Sequence, residues 1–205
     1  MKTSLRWLML GEGSFVIVAM VWARWRGVRI PFWIDVGSVG VALLATAGFL
    51  AVNFSLYFLG KRTGHPASVH AFLESEVFPF FRRASVPDLL GVAALAGLGE
   101  ELFFRGVLQD ELGIWIASAI FGLPHGPSRE LWPLAVWATG MGVVLGALYQ
   151  ASGNLFVPAL AHALYDGAAL IYVRRRAGSS VTDTMPETSD PADLADNERP
   201  EEDAK

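Results

Sequence analysis

The sequence predicts an all-α protein, a polytopic bundle of about six transmembrane helices followed by a disordered acidic C-terminal tail. The chain has 205 residues, of which 53% are hydrophobic and only 18% charged, whereas soluble domains carry about 25% charged residues. Apolar segments close to 20 residues long, the length that crosses a bilayer core, recur along the chain. Residues 178–205 hold nine acids and are net −7, which leaves the first 177 residues at +3.

Six hydrophobic segments are predicted, at Leu5–Ala23, Trp33–Leu59, Asp88–Leu108, Leu112–Leu123, Leu131–Tyr149 and Leu155–Val173. The first is interrupted at Gly11 and Glu12 and no small-residue cleavage site follows promptly, so we expect a retained span rather than a cleaved signal. The fourth is too short to cross unaided. We expect it to continue past Pro124 as a kinked or broken helix, which is tolerated where protein surrounds it.

Two stretches outside the spans have distinct compositions. Between the second and third segments, Ser68–Ser85 alternates aromatic and charged residues, which predicts a helix lying along the headgroups, as a simple connector or as a gate over a site. The tail is rich in Ser, Thr, Pro and Asp, so it cannot bury enough surface to order itself. It is a dispensable extension or a docking segment. The predicted division is 1–86, 87–176 and 177–205.

Orientation follows from the lysines and arginines outside the spans, because these concentrate on the cytoplasmic side. Ten lie on the side shared by both termini and three on the other side. The ten are Lys2, Arg6, Lys61, Arg62, Arg82, Arg83, Arg129, Arg174, Arg175 and Arg176, and the three are Arg24, Arg26 and Arg29. The bias predicts a multi-pass membrane protein with both termini in the cytoplasm.

The strongest functional signal is a pair of glutamates, Glu100 and Glu101, followed by Arg105 within an apolar segment. A charge at the centre of a bilayer helix costs roughly 2.5–3.5 kcal/mol on insertion scales. Glu101 and Arg105 are i,i+4 neighbours and can pair, whereas Glu100 is rotated by about 100°. Two carboxylates in different surroundings suit an acid–base site. The alternative is a buried salt bridge that fixes packing, which leaves Glu100 unpaired.

Three further ionisable residues lie deep in the later spans. His125 ends the fourth segment, and His162 and Asp166 are i,i+4 neighbours in the sixth. Intramembrane ionisable residues face a bundle interior or a wet cavity, so we expect all six to converge. His65 and His70 lie in a polar loop and are interpreted as incidental, and Glu12, Asn53 and Tyr165 are weaker candidates. Without cysteine, thiolate ligands and cysteine nucleophiles are excluded.

Small residues recur at helical spacing. Ala138, Gly142 and Gly146 stand four residues apart, which lets a neighbouring backbone approach. Gly97, Gly99 and Gly106 flank the glutamate pair, where they allow close packing or leave room for a substrate chain or water.

The order Glu100-Glu101-x-x-x-Arg105, Phe121-x-x-x-His125 and His162-x-x-x-Asp166 resembles the CPBP family. This family comprises the type II CAAX prenyl endopeptidases and their bacterial relatives, also called Abi-type glutamate intramembrane proteases. The resemblance covers about Pro87 to Tyr172 and implies that Glu100 and His125 activate a water, that Glu101 and Arg105 orient the site, and that His162 and residue 166 stabilise the oxyanion.

One position departs from the family. The last motif position is often Asn there, and this chain has Asp166. A carboxylate cannot donate a hydrogen bond unless it is protonated, so Asp166 supports a cationic His162 or marks reduced activity.

The resemblance implies an intramembrane endopeptidase that cuts a membrane-associated protein or peptide near its C-terminus, as in CAAX-like or sorting-tail processing. The alternatives are a non-catalytic scaffold or immunity protein and a proton-coupled transporter, although no inverted repeat is evident. Zinc spacing such as H-E-x-x-H is absent, so no metal or cofactor is expected. The expected partners are membrane lipid and the substrate, with no nucleic acid. Composition suggests a bacterial inner-membrane protein.

Overall fold

The structure is a computed structural model that describes residues 3–63 and 71–182. The predicted all-α fold is confirmed, because those residues form six long helices and no strand. The helices are α1 Thr3–Arg26, α2 Val36–Thr63, α3 Val86–Phe103, α4 Gln109–Gly122, α5 Trp132–Ser152 and α6 Phe156–Thr182. Ser85 caps α3 by accepting a hydrogen bond from the Asp88 backbone N–H at 3.2 Å. A π-helical turn, Phe104–Leu108, joins α3 to α4 without a loop.

The helices form a membrane-embedded bundle. Segments Leu5–Arg26, Val36–Gly60, Arg129–Ser152 and Phe156–Arg176 are each long and apolar enough to span a bilayer. Helix α3 and its π turn together cover residues 86–108, about 35 Å at 1.5 Å per residue, which is also a spanning length. Large apolar side chains face outward, among them Trp7, Val21, Leu44, Phe54 and Trp115. Such a surface is stable only in apolar surroundings, so the protein is a membrane protein.

The fourth predicted segment ends earlier in the structure than the sequence predicts. Helix α4 is bent at Gly113, whose φ of 78° lies in the left-handed region, and it ends at Gly122. A single 3₁₀ turn, Leu123–His125, follows, so the predicted continuation past Pro124 is wrong beyond that turn. Gly126 leaves helical geometry, and Pro127 disfavours helical geometry in the residue before it.

The predicted surface helix and tail are only partly described. The connector consists of a π-helical turn, Leu73–Val77, and an α-helical turn, Phe78–Phe81, and it packs against α6. Helix α6 extends to Thr182, so residues 177–182 of the predicted tail are helical. Residues 64–70 and 183–205 lie outside the described part of the chain.

Three connections meet at one end of the bundle. Arg26, the last residue of α1, forms two hydrogen bonds with the Glu111 carboxylate at 2.5 and 2.9 Å. The buried Asn154, between α5 and α6, donates to the Trp33 carbonyl at 2.9 Å and accepts from the Trp33 N–H at 3.1 Å. Successive helices therefore alternate in direction, as six crossings require. Which membrane side this end faces stays a prediction.

Close backbone contacts at glycines hold α3 between α1 and α6. A Cβ at Gly97 would lie 2.6 Å from the Ala163 backbone N and 2.7 Å from the Ala159 carbonyl oxygen, both on α6. At Gly99 it would lie 2.5 Å from the Glu12 carbonyl oxygen on α1. Of the two interpretations given for the glycines around the pair, the structure supports close packing at Gly97 and Gly99, whereas Gly106 also lines a cavity.

The α4–α5 contact uses the predicted small residues of α5. A Cβ at Gly142 would lie 3.1 Å from the Ser118 Cβ, and one at Gly146 would lie 2.9 Å from an Ile114 side-chain carbon. The prediction that these positions let a neighbouring helix approach is confirmed.

We expect Gly97→Ala to destabilise the protein by about 1–3 kcal/mol, the usual range for overpacking. The added methyl would meet α6 backbone atoms, which cannot rotate aside. The matched control is Gly140→Ala on α5, where nothing lies within 4 Å of the new methyl, and which we expect to be neutral or stabilising by up to about 1 kcal/mol. Thermal unfolding of both variants in one detergent measures the difference. Equal melting temperatures would contradict the close contact.

Candidate active site

The glutamate pair lies near the end of α3, where the helix changes to the π turn Phe104–Leu108. Turns of this type occur frequently at functional sites. The close approach at Gly97 brings α6 alongside, so that His162 and Asp166 face the pair, and the contact at Gly99 brings Glu12 of α1 to the same place. The local sequence, apolar and rich in glycine, thus allows three helices to meet around the two carboxylates.

Glu101 is fully buried and makes two contacts. One carboxylate oxygen lies 3.1 Å from the Arg105 Nε, and the other lies 2.9 Å from the His162 Nδ1. The predicted pairing of Glu101 with Arg105 is confirmed. The contact with Arg105 is an ion pair without hydrogen-bond geometry, because neither Glu101 Oε2 nor Arg105 Nε has a hydrogen-bond partner among the described residues. With no exposed surface, Glu101 has no open face toward a substrate.

Arg105 is held on its other sides as well. Its guanidinium lies 4.5 Å from the centre of the Phe121 ring, and its Nη2 donates to the Gly142 carbonyl at 3.3 Å. A cation over an aromatic face is stabilised by the ring quadrupole. Because Phe121 is on α4 and Gly142 on α5, the arginine ties the glutamate pair to two further helices.

His162 is the centre of the cluster. Its Nδ1 faces Glu101, and its Nε2 lies 3.4 Å from Asp166 Oδ2 and 3.9 Å from Glu100 Oε2. Carboxylates only accept hydrogen bonds, and only the cationic ring can donate from both nitrogens at once. The predicted i,i+4 contact of His162 with Asp166 is confirmed. Glu100 and Asp166 have 15% and 30% exposed side chains, respectively, so this half of the cluster is the accessible one.

His125 reaches the cluster through Phe121. Its ring lies 5.2 Å from the Phe121 ring, which in turn lies 5.8 Å from the His162 ring. Its Nδ1 is 3.0 Å from the Phe121 carbonyl oxygen, which can only accept, so Nδ1 carries a hydrogen. A neutral His125 then presents an Nε2 lone pair, the atom that a general base needs. A water shared with Glu100 stays a prediction.

The weaker candidates Glu12, Asn53 and Tyr165 have different surroundings in the structure. The Glu12 carboxyl lies within hydrogen-bonding reach of Glu100 and near Asp166 and His162. Sequence reasoning undervalued it because it stands near the start of a span, although a carboxylate in an apolar helix is the signal that singled out Glu100. Tyr165 accepts from Trp137 Nε1 at 3.1 Å, and Asn53 is exposed on α2. His65 and His70 lie outside the described residues.

A cavity of about 360 Å³ opens beside the cluster, at the end of the bundle where the three connections meet. Its lining includes Arg29, Arg105, Gln109 and Tyr149 but neither glutamate of the pair. The cavity and the carboxylates are therefore separate features that meet at Arg105. No group of three or more His, Asp or Glu side chains within residues 3–63 and 71–182 is arranged to hold a metal ion, and metal independence stays a prediction.

Comparison with known proteins gives a family. Residues 82–168 match the sequence model described as type II CAAX prenyl endopeptidase Rce1-like. The "Uncharacterized protein YpbD" of Bacillus subtilis (strain 168) is 37% identical over 94 residues, which are 46% of this chain and 50% of that protein. The "Uncharacterized 24.3 kDa protein" of Escherichia coli is 30% identical over 159 residues, 71% of this chain and 69% of that protein. No solved structure matches significantly.

The chain therefore belongs to the CPBP family, whose matching sequence model is described as Rce1-like, as its three motifs predict. The family match spans α3 to α6 and includes Glu100, Glu101, Arg105, His125, His162 and Asp166. Helix α1, and Glu12 with it, lies outside the matched region. The fold and family together define a membrane protein of a protease family.

Proposed function

We propose that the protein is an intramembrane endopeptidase of the glutamate type that hydrolyses a peptide bond near the C-terminus of a membrane-associated protein or peptide. In this proposal Glu100 and His125 activate the water. Glu101 and Arg105 hold the site in shape, and His162 with Asp166 stabilises the developing oxyanion.

The observation that carries the proposal is the different surroundings of two adjacent carboxylates. Glu101 is fully buried and bridges Arg105 and His162, whereas Glu100 is 15% exposed and lies 3.9 Å from His162. A general base must reach a water and a substrate carbonyl, and Glu100 is the member of the pair with that access. A structural salt bridge alone accounts for Glu101 and Arg105 and leaves Glu100 unexplained.

The proposed chemistry assigns proton transfer and oxyanion stabilisation to different groups. Glu100, assisted by the His125 Nε2, accepts a proton as the water oxygen attacks the carbonyl carbon. The negative charge that develops on the carbonyl oxygen is stabilised by the His162 Nε2–H, since preorganised donors act most strongly where water is excluded. Collapse of the tetrahedral intermediate breaks the C–N bond, and the proton taken from water passes to the leaving amine.

We expect Asp166→Asn to lower turnover and to move the pH optimum to lower pH. Asp166 Oδ2 lies 3.4 Å from His162 Nε2, and an adjacent anion favours the cationic imidazole, so its loss confines the charged ring to lower pH. If residue 166 instead donates to the oxyanion, the amide should preserve or raise turnover, because it donates without needing a proton. The measurement is a pH–rate profile of parent and variant. Superimposed profiles would contradict the supporting role.

The direct test uses purified protein in phospholipid vesicles with peptides that carry a membrane-inserted segment or a lipid anchor close to the C-terminus. We expect one or a few defined cleavage products by mass spectrometry, formed equally well in the presence of a chelator. A folded protein that cleaves none of these peptides would favour the scaffold or immunity-type alternative. Loss of cleavage on chelation, restored by a metal ion, would contradict the metal-independent mechanism.

A further inference from the structure

Glu12 enters the candidate site from a helix outside the family match. Helix α1 packs on α3 in the same direction, with the Met9 side chain at Gly91 and the Glu12 backbone at Gly99. Phe15, three residues further along α1, contacts the Phe103 ring at 5.3 Å between centres. The position of Glu12 is thus set by contacts on both sides of it, and its carboxyl faces Glu100.

The contact between Glu12 and Glu100 joins two groups that only accept hydrogen bonds when ionised. The Oε2 of Glu12 is buried and has no donor among the groups the structure describes, although the Glu100 carboxyl is within hydrogen-bonding reach. Two carboxyl groups that share a site in this way keep one proton between them, because both cannot ionise at close range. A single proton would make one group the donor and the other the acceptor.

The charges of the cluster independently indicate that it holds at least one proton. The acids of the cluster are Glu12, Glu100, Glu101 and Asp166, and the bases are Arg105, His125 and His162. Even with all three bases charged, one acid remains uncompensated. An unpaired charge in a largely buried site is strongly destabilising, so the cluster retains at least one proton. Glu12 and Glu100 face each other with no hydrogen-bond donor between them when both are ionised. A proton held between these two carboxyl groups removes their repulsion.

We propose that Glu12 is a positioning residue that holds a proton against Glu100, so that the two carboxyl groups act as one proton-sharing unit supplied by two helices. In the resting state Glu12 donates to the Glu100 carboxylate and leaves the other Glu100 oxygen for the water.

The catalytic role of the pair rests on the proposed protease activity. In that reaction the number of protons on the pair is the same at the start and at the end. As water attacks, the O–H bond breaks and its proton moves to Glu100, so that the pair holds two protons. When the C–N bond breaks, the pair returns one proton to the leaving amine nitrogen. The pair ends as it began, with one proton, and one water has been consumed.

The structural arm of the test needs no substrate. Infrared spectra of the full chain in vesicles at neutral pH should contain the C=O stretching band of a protonated carboxyl group. We expect Glu12→Gln and Glu100→Gln each to remove this band, because an amide donates to the remaining carboxylate without a shared proton. Glu74→Gln, an exposed glutamate of the connector, should leave it unchanged. A band that persists in both Glu12→Gln and Glu100→Gln would overturn the proposal whether or not the protein is a protease.

The kinetic arm separates positioning from structure. We expect Glu12→Gln to lower kcat about 10- to 100-fold with little change in KM, below the range for a direct acid or base, and Glu12→Asp to restore part of the loss. The alkaline limb of the pH–rate profile should move to higher pH. In the parent that limb reports loss of the proton shared by Glu12 and Glu100, and the Gln variant has no such proton to lose. Glu100, Asp166 and His162 are the titrating groups that face Glu12. A profile that superimposes on the parent's would overturn the proposal.

Discussion

Glu100→Gln is expected to reduce kcat by about 10²- to 10⁴-fold, the usual contribution of general acid–base catalysis, with KM nearly unchanged. The amide has the shape of the carboxylate but cannot accept a proton from water. Since Glu100 contacts His162 only at 3.9 Å, the substitution breaks no short hydrogen bond with the histidine. Cleavage of a membrane-anchored peptide by equal amounts of folded parent and variant measures the effect.

The matched control for Glu100→Gln is Glu74→Gln, the same chemical change at an exposed position of the connector. It should cleave at the parent's rate. Comparable activity of Glu100→Gln and the parent would contradict the assignment of Glu100 as the base, and Glu101 would remain an unsuitable substitute because its side chain is fully buried.

Glu101→Ala is expected to destabilise the protein by about 3–5 kcal/mol, the range for breaking a buried ion pair by removing one partner. Arg105 is 1% exposed, so it would be left as an uncompensated charge, and His162 would lose its 2.9 Å contact. Chemical unfolding in detergent, followed by tryptophan fluorescence, measures the change. Activity should fall as well, because the same contacts orient His162.

Two control variants show whether the loss of stability comes from breaking the buried Glu101–Arg105 ion pair. Glu111→Gln removes the carboxylate of the exposed ion pair with Arg26 and should cost no more than about 1 kcal/mol. The double variant Glu101→Leu with Arg105→Met should be more stable than Glu101→Ala, since Arg105 is no longer left as an uncompensated buried charge. If Glu101→Ala and Glu111→Gln are equally stable, the Glu101–Arg105 pair contributes no more than a surface pair.

The sequence was sufficient to predict the class of the fold and to single out most members of the candidate site. Helical periodicity and apolar length determine where α3, α5 and α6 lie, because a segment in lipid must satisfy its backbone hydrogen bonds internally. The same reasoning identified Glu100, Glu101 and Arg105, since ionisable residues are costly at membrane depth. The contacts of Glu101 with Arg105 and of His162 with Asp166 follow from i,i+4 spacing alone.

Contacts between helices were decided only by the tertiary structure. That Glu101 bridges Arg105 and His162 while Glu100 keeps an accessible edge depends on how α6 docks at Gly97, which no pattern within α3 specifies. The same holds for Glu12, which the contact at Gly99 turns toward Glu100. Local spacing determines which side chains share a helix face, but the rotation and depth of one helix against another come from packing across the bundle, where residues distant in sequence meet.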